Sequence, residues 1–531
     1  MMTDANAHGA SSPPSPAEID AEVFRSLLAV RARHLLRIAR CCLPLQPEQF
    51  RLTRPLLNQL IAEASQLEEL LDSYGARTNN RWYVFRVRIA ALKNFSQAGY
   101  ELLHLSHAMR SYNLVERTPA FATDTQEAID YLSGLLLCCL RHWHEESQAL
   151  GLPPPPAPEL SPESFNEDLP GGMLPRDRTR THQETATSRV LSLATQFLHG
   201  TESASFLRVV SRTPADKYLS LIGEPVSEES LRGLEVRFHN LQSLYDTYVS
   251  DSGTETLDAQ LPALRGHISA VLHLLRISTI FVHFYERHIC LNRQALFCRG
   301  DCPLGLQGFL HVTMGYCLGY SYSFLQMARS ICRETLWRYA EVDTVDVPVP
   351  RFHGFHVRPS SLVAAIVGHY GSDVVMECGG VRYNAGVPME LFRANEWINR
   401  QKRERVYEHL SSLPLDAIDR ESTDRRHALR EVLIRLAERG AIVIHQHPLP
   451  VEKFCERPDV PFDELVRLAI AALLAERRIN IQTDIAVRFQ GDKRVLADIR
   501  ILAENGYGEN DSGNNIDLPD ELGYLSFIRG S

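Results

Sequence analysis

The chain has 531 residues, 44% hydrophobic and 23% charged, with a formal net charge of -9. That length exceeds one ordinary core and predicts two to four domains, and the balance of apolar and charged residues excludes global disorder. A net acidic protein without long Lys/Arg runs offers no basic field for counterion release, so nucleic acid is excluded as a first reading.

Residues 1–16 are rich in Ala, Ser and Pro and lack a basic region followed by an apolar core, so a disordered terminus without a secretory signal is expected. Eleven cysteines, with adjacent pairs Cys41/Cys42 and Cys138/Cys139 in apolar surroundings, read as reduced core thiols. The expected setting is cytoplasmic.

From residue 17 to 150, apolar residues recur at spacings of three and four, which places them on one helix face. Helices are predicted over Glu18–Arg40, Glu48–Tyr74, Asn80–Tyr112 and Thr125–Leu150, the last announced by Asp124 and Glu127 as a capping box. Four helices with short connections predict an antiparallel bundle. Residues 151–183 carry Pro153 to Pro156 and no hydrophobic periodicity, which reads as a linker.

Helical pattern resumes over 184–340. Its clearest stretch is Leu257, Leu261, Leu264, Ile268, Val271 and Leu275. This is a second bundle or the other half of the first, and its long apolar helices suggest a homodimer. Cys302 to Ala328 holds no formal charge, but Gln307, His311, Thr313 and Gln326 interrupt it, so it reads as a buried helix and not a membrane span. His288, Cys290, Cys298 and Cys302 have loose spacing without a second matching pair; buried thiols are expected and no metal. No cofactor-binding motif appears.

The character changes at Val342, where residues through Pro350 alternate and are β-branched, as in a strand. Residues 341–505 read as a separate α+β domain with an insertion at 411–439, and 506–531 as a mobile tail. Directly after the first strand comes Gly354-Phe355-His356-Val357-Arg358-Pro359-Ser360-Ser361, followed by an apolar helix to Tyr370. Pro359 fits a first helical turn, where its missing amide has no intrahelical partner. His356 then sits at the cap, where free amides and the positive end of the helix dipole favour an anion. Gly354 permits close backbone approach, Arg358 supplies a fixed cationic fork, and the Val357 amide and Ser360 complete a phosphate-supporting set around His356 as phosphoacceptor.

The Gly-x-His-x-Arg-Pro-Ser pattern resembles the active-site signature of HPr, the histidine-containing phosphocarrier family of the phosphoenolpyruvate-dependent phosphotransferase system. Residues Arg382 to Met389 resemble a second motif of that family, with Gly386 and Val387 in place of its Lys and regulatory Ser. The resemblance implies an open sandwich of four antiparallel strands with three helices on one face, and a phosphoryl group carried on Nδ1 of His356. It implies a carrier and not an enzyme, with a donor enzyme and a downstream acceptor as partners, docked through Met389, Leu391 and Phe392. The last strand and helix of that fold are assigned to Ala441–His445 and Pro461–Arg478. Two other readings stay open: an adaptor that binds partners without phosphotransfer, and a regulator of a helical enzyme.

Overall fold

The computed structural model describes residues 18–46, 49–114, 118–154, 160–167, 186–289, 305–422, 424–445, 448–456, 459–476, 478–481, 485–510 and 513–528. The chain is mostly helical, with a four-stranded antiparallel sheet near its C-terminal end. It divides into one compact unit of Met1–Ala186 with Gly200–Ile331, and a second of Thr187–His199 with Cys332–Ser531. The expected N-terminal segment 1–16, most of the linker 151–183, and Cys290, Cys298 and Cys302 lie outside the described residues.

The first unit is all helical. Asp20 starts the helix Ala21–Cys42 by accepting from the amides of Glu22 and Val23, and Thr53 starts Arg54–Ser73 by accepting from the Leu56 amide, with Pro55 in the first turn. At the centre lies Tyr83–Ala108, which packs against Arg54–Ser73, Thr118–Ala149 and Gln260–Phe284; Glu228–Tyr248 covers Gln260–Phe284. Gly200–Ile331 shares one unit with the first helices, whereas Thr187–His199 and residues 332–340 of the expected 184–340 region fall in the second.

Local signals misplaced two boundaries in this unit. The fourth helix begins at Thr118, so Asp124 lies in its second turn and accepts from the Tyr320 hydroxyl at 2.5 Å instead of capping. Leu257 ends a short helix of its own and is 90% exposed, because Asp258 breaks the helix before Gln260–Phe284 begins. Gln260–Ile289 is long and apolar enough to cross a membrane, and most of it is buried within the unit. Residues 306–339 form a continuous helical stretch that includes a π segment, His311–Leu318. Cys41, Cys42, Cys138 and Cys139 are all buried.

In the second unit the main sheet contains β1 (Val342–Pro348), β2 (Val374–Cys378), β3 (Val381–Asn384) and β6 (Ala486–Asp492), in the order β1-β6-β2-β3. Alternate residues Val345, Val347, Val374, Met376, Cys378, Val487 and Phe489 face one core, whereas Asp346 and Arg488 pair on the exposed face at 2.8 Å. Helices Val357–Tyr370 and Lys493–Glu504 supply the other half of that core through Leu362, Val363, Ile366, Val495, Leu496 and Ile499.

This arrangement corrects the expected register of the domain. The strand near Ala441 is β4 (Ile442–Ile444); it pairs with β5 (Ile479–Ile481) in a separate two-stranded sheet and does not enter the main one. Helix Phe462–Ala475 belongs with that small sheet, in a second core running from Val406 to Ile481 with helices Leu415–Glu421 and Arg425–Glu438. The insertion therefore extends far beyond 411–439. The final strand and helix of the main sheet are β6 and Lys493–Glu504, because only their apolar faces complete the core of β1 and β2. The C-terminal residues are not a loose tail among those described: Tyr507, Leu522 and Leu525 are buried in the same core.

Candidate functional site

The turn after β1 is built around Phe355, which is fully buried against Phe489 and Tyr507. Its amide donates to Asn395 Oδ1 at 2.8 Å, and its carbonyl accepts from the Ser360 hydroxyl at 2.9 Å. Gly354 precedes it in the left-handed region at φ +67°, and a Cβ there would run into the Asn395 side-chain oxygen. Both neighbours of the turn are thus set by packing.

With Phe355 inside, the chain brings His356 to the N-cap of Val357–Tyr370 in extended backbone geometry. The His356 side chain makes no capping hydrogen bond to this helix. The first amides and the positive end of the dipole are therefore at the histidine. The His356 imidazole, 18% exposed at its side chain, donates from Nε2 to Glu509, with Oε2 at 2.9 Å and Oε1 at 3.0 Å. Arg358 donates from Nη1 to Glu509 Oε2 at 3.2 Å and to the Gly513 carbonyl at 2.9 Å. The Glu509 side chain is 2% exposed, so a nearly buried carboxylate is shared between an imidazole and a guanidinium.

The expected residues separate into three groups. His356, Arg358 and the start of the helix at Val357 come together, with the Val357 side chain 76% exposed. Gly354 and Ser360 stand one step behind: Ser360 is 1% exposed and gives its hydroxyl to the Phe355 carbonyl, so it holds the turn and does not reach a phosphate. Leu391 is fully buried in the core of the main sheet and cannot dock a partner, whereas Met389 and Phe392, on the same short helix Pro388–Arg393, are 67% and 42% exposed. The periodicity of one short helix dictates this, since Leu391 lies on the opposite side from Met389.

Sequence reasoning missed Glu509, Asn395 and His445. Glu509 has no local signal, because it approaches His356 from beyond the last helix of the domain. His445 flanks Phe352 together with His353, at ring-centroid distances of 5.4 and 4.2 Å, and its buried Nε2 has no hydrogen-bond partner among the described residues. Burial, and then the nearby Lys402 charge, push the His445 pKa below the ordinary imidazole value. His353 adopts φ +57°, uncommon for a residue with a side chain. Among the described residues no group of His, Cys, Asp or Glu side chains is placed to hold a metal ion.

No family model, curated protein or solved structure matches this chain.

Proposed function

We propose that the second unit is an HPr-like phosphoryl carrier or signalling module in which His356 accepts a phosphoryl group from a donor enzyme and passes it to a downstream protein. The observation that carries this reading is the imidazole at a helix start, with Arg358 two residues on. An anion on the ring would gain the free amides, the helix dipole and a guanidinium fork at once. The alternation of buried residues along β1, β2 and β6 of the antiparallel sheet, with helices against one face, also supports the open sandwich that the motif implies. The exposed Val357, Met389 and Phe392 fit a surface on which a protein donor docks. On this reading the chain itself catalyses nothing; it carries.

A specific observation also favours the adaptor reading. Glu509 already occupies one ring nitrogen and the guanidinium with a carboxylate, which satisfies them without phosphate. Incubation of the full chain, and of His356→Ala, with phosphoenolpyruvate and the phosphotransferase donor enzyme separates the two. Acid-labile label on the wild type that is absent from His356→Ala is the expected result. Folded wild-type protein that takes no label overturns the carrier reading in favour of the adaptor.

A further inference from the structure

We infer that Glu509 is a positioning residue that leaves Nδ1 of His356 as the nucleophile and steadies the charge that phosphorylation creates on the ring. This rests on the carrier reading above and names a residue outside the motif that suggested it.

An ionised carboxylate only accepts hydrogen bonds, so a ring nitrogen between its oxygens must carry a proton. Glu509 places both oxygens within 3.0 Å of Nε2. The neutral ring then has its lone pair on Nδ1. Because the Glu509 side chain is 2% exposed, little water competes for this bond. Nucleophilic use of Nε2 would require breaking it and leaving a buried carboxylate with one partner fewer.

Glu509 is held both at its carboxylate and along its backbone. Arg358 bonds it directly and also grips the Gly513 carbonyl of the same loop. The Glu509 amide donates to the Gly506 carbonyl at 3.2 Å, and Glu509 and Asn515 face each other across an isolated antiparallel bridge. Tyr507 takes a left-handed conformation at φ +58°, is buried, and donates from its hydroxyl to the Pro348 carbonyl at 2.7 Å. The loop is thereby tied to the end of β1, the strand that leads into His356.

In the reaction, the Nδ1 lone pair attacks the phosphorus of a phosphohistidine on the donor protein. A new N–P bond forms at His356 while the donor's N–P bond breaks, its electron pair returning to the donor ring. The His356 ring becomes cationic, keeps its Nε2 proton, and faces the Glu509 carboxylate. Onward transfer reverses the same bookkeeping at an acceptor, and no proton leaves the site.

The test uses the full chain labelled with 15N-histidine. The unphosphorylated wild type is expected to show His356 protonated at Nε2; Glu509→Ala is expected to lose that preference, and Glu509→Gln, whose side-chain oxygen can still accept, to restore it. After phosphorylation, 31P–15N coupling should place the phosphoryl group on Nδ1 in the wild type, with Glu509→Ala labelled ~10-fold or more slowly and at both nitrogens. An Nδ1-protonated wild type, or a labelled Glu509→Ala with unchanged tautomer, rate and position, overturns the inference alone. Absence of label on every form overturns the carrier reading and this inference with it.

Discussion

The backbone amide of Phe355 donates to the side-chain oxygen of Asn395 at 2.8 Å, and this bond couples the turn that carries His356 to the first residue of the helix Asn395–Ser411. Gly354 makes room for it. A methyl at Gly354 would meet Asn395 Oδ1 and would also have to sit at φ +67°. Gly354→Ala is expected to destabilise the second unit by about 1–3 kcal/mol, read from chemical denaturation, and to lower His356 labelling under any condition that leaves the fold marginal.

Arg358 tests whether a point charge suffices at the site. Its guanidinium reaches both Glu509 and the Gly513 carbonyl. Arg358→Lys keeps the charge and loses the planar fork, so the phosphorylation rate should fall by about 10-fold, and Arg358→Ala by about 100-fold. Equal rates for all three proteins would remove Arg358 from the site.

Lys402 is 2% exposed and donates to Asn480 Oδ1 at 3.0 Å; burial pushes its pKa down to about 8 from 10.5. Below pH 8 both folded and unfolded chains carry the proton, and the cost of burying the charge is present in full. Between pH 8 and 10.5 only the unfolded chain holds it, so stability should rise with pH across that window. Lys402→Met is expected to raise the stability of the second unit at pH 7 by about 1–3 kcal/mol and to flatten the alkaline rise in a pH-dependent melt.

His288 provides the corresponding test in the first unit. Its Nδ1 faces Arg86 Nη1 at 3.2 Å, and burial, followed by the Arg86 charge, pushes its pKa down to about 3. As pH falls below the unfolded value of 6.5, the unfolded chain takes up a proton that the folded one refuses, so stability drops until about pH 3. By pH 5 the loss from this residue should be about 1–2 kcal/mol, and His288→Phe should remove that part of the acid sensitivity in thermal melts at pH 5 and 7.

Arg86 itself is 6% exposed at its side chain, between Asp72 at 2.8 Å and Glu68 at 3.0 Å. Arg86→Met would remove the buried centre of this ion network, leaving Asp72 with Arg77 alone and Glu68 with Lys93 alone among the described residues. A loss of about 3 kcal/mol is expected in denaturation of the full chain, with Asp72→Asn in the same background recovering part of it.

Local structure around His356 is legible in the residues themselves. Pro359 in a first helical turn, the apolar run to Tyr370 and the alternation from Val342 were enough to place a strand, a turn with His356 at the cap, and a helix, because each depends on residues within a few positions of one another. The long-range assignments followed the tertiary core instead. Ile442–Ile444, Ile479–Ile481 and Ala486–Asp492 are all short apolar runs, and nothing within them says which two pair together and which enters between β1 and β2. That choice belongs to the faces that bury one another, Phe489 against Val345 and Met376 in one core, Ile442 against Ile481 in the other. For the same reason Leu391 and Ser360 turned inward, and Glu509 reached His356 across 153 positions of sequence. A carboxylate far along the chain has no periodicity or spacing to mark it; only the closing of the C-terminal loop over β1 makes it a neighbour.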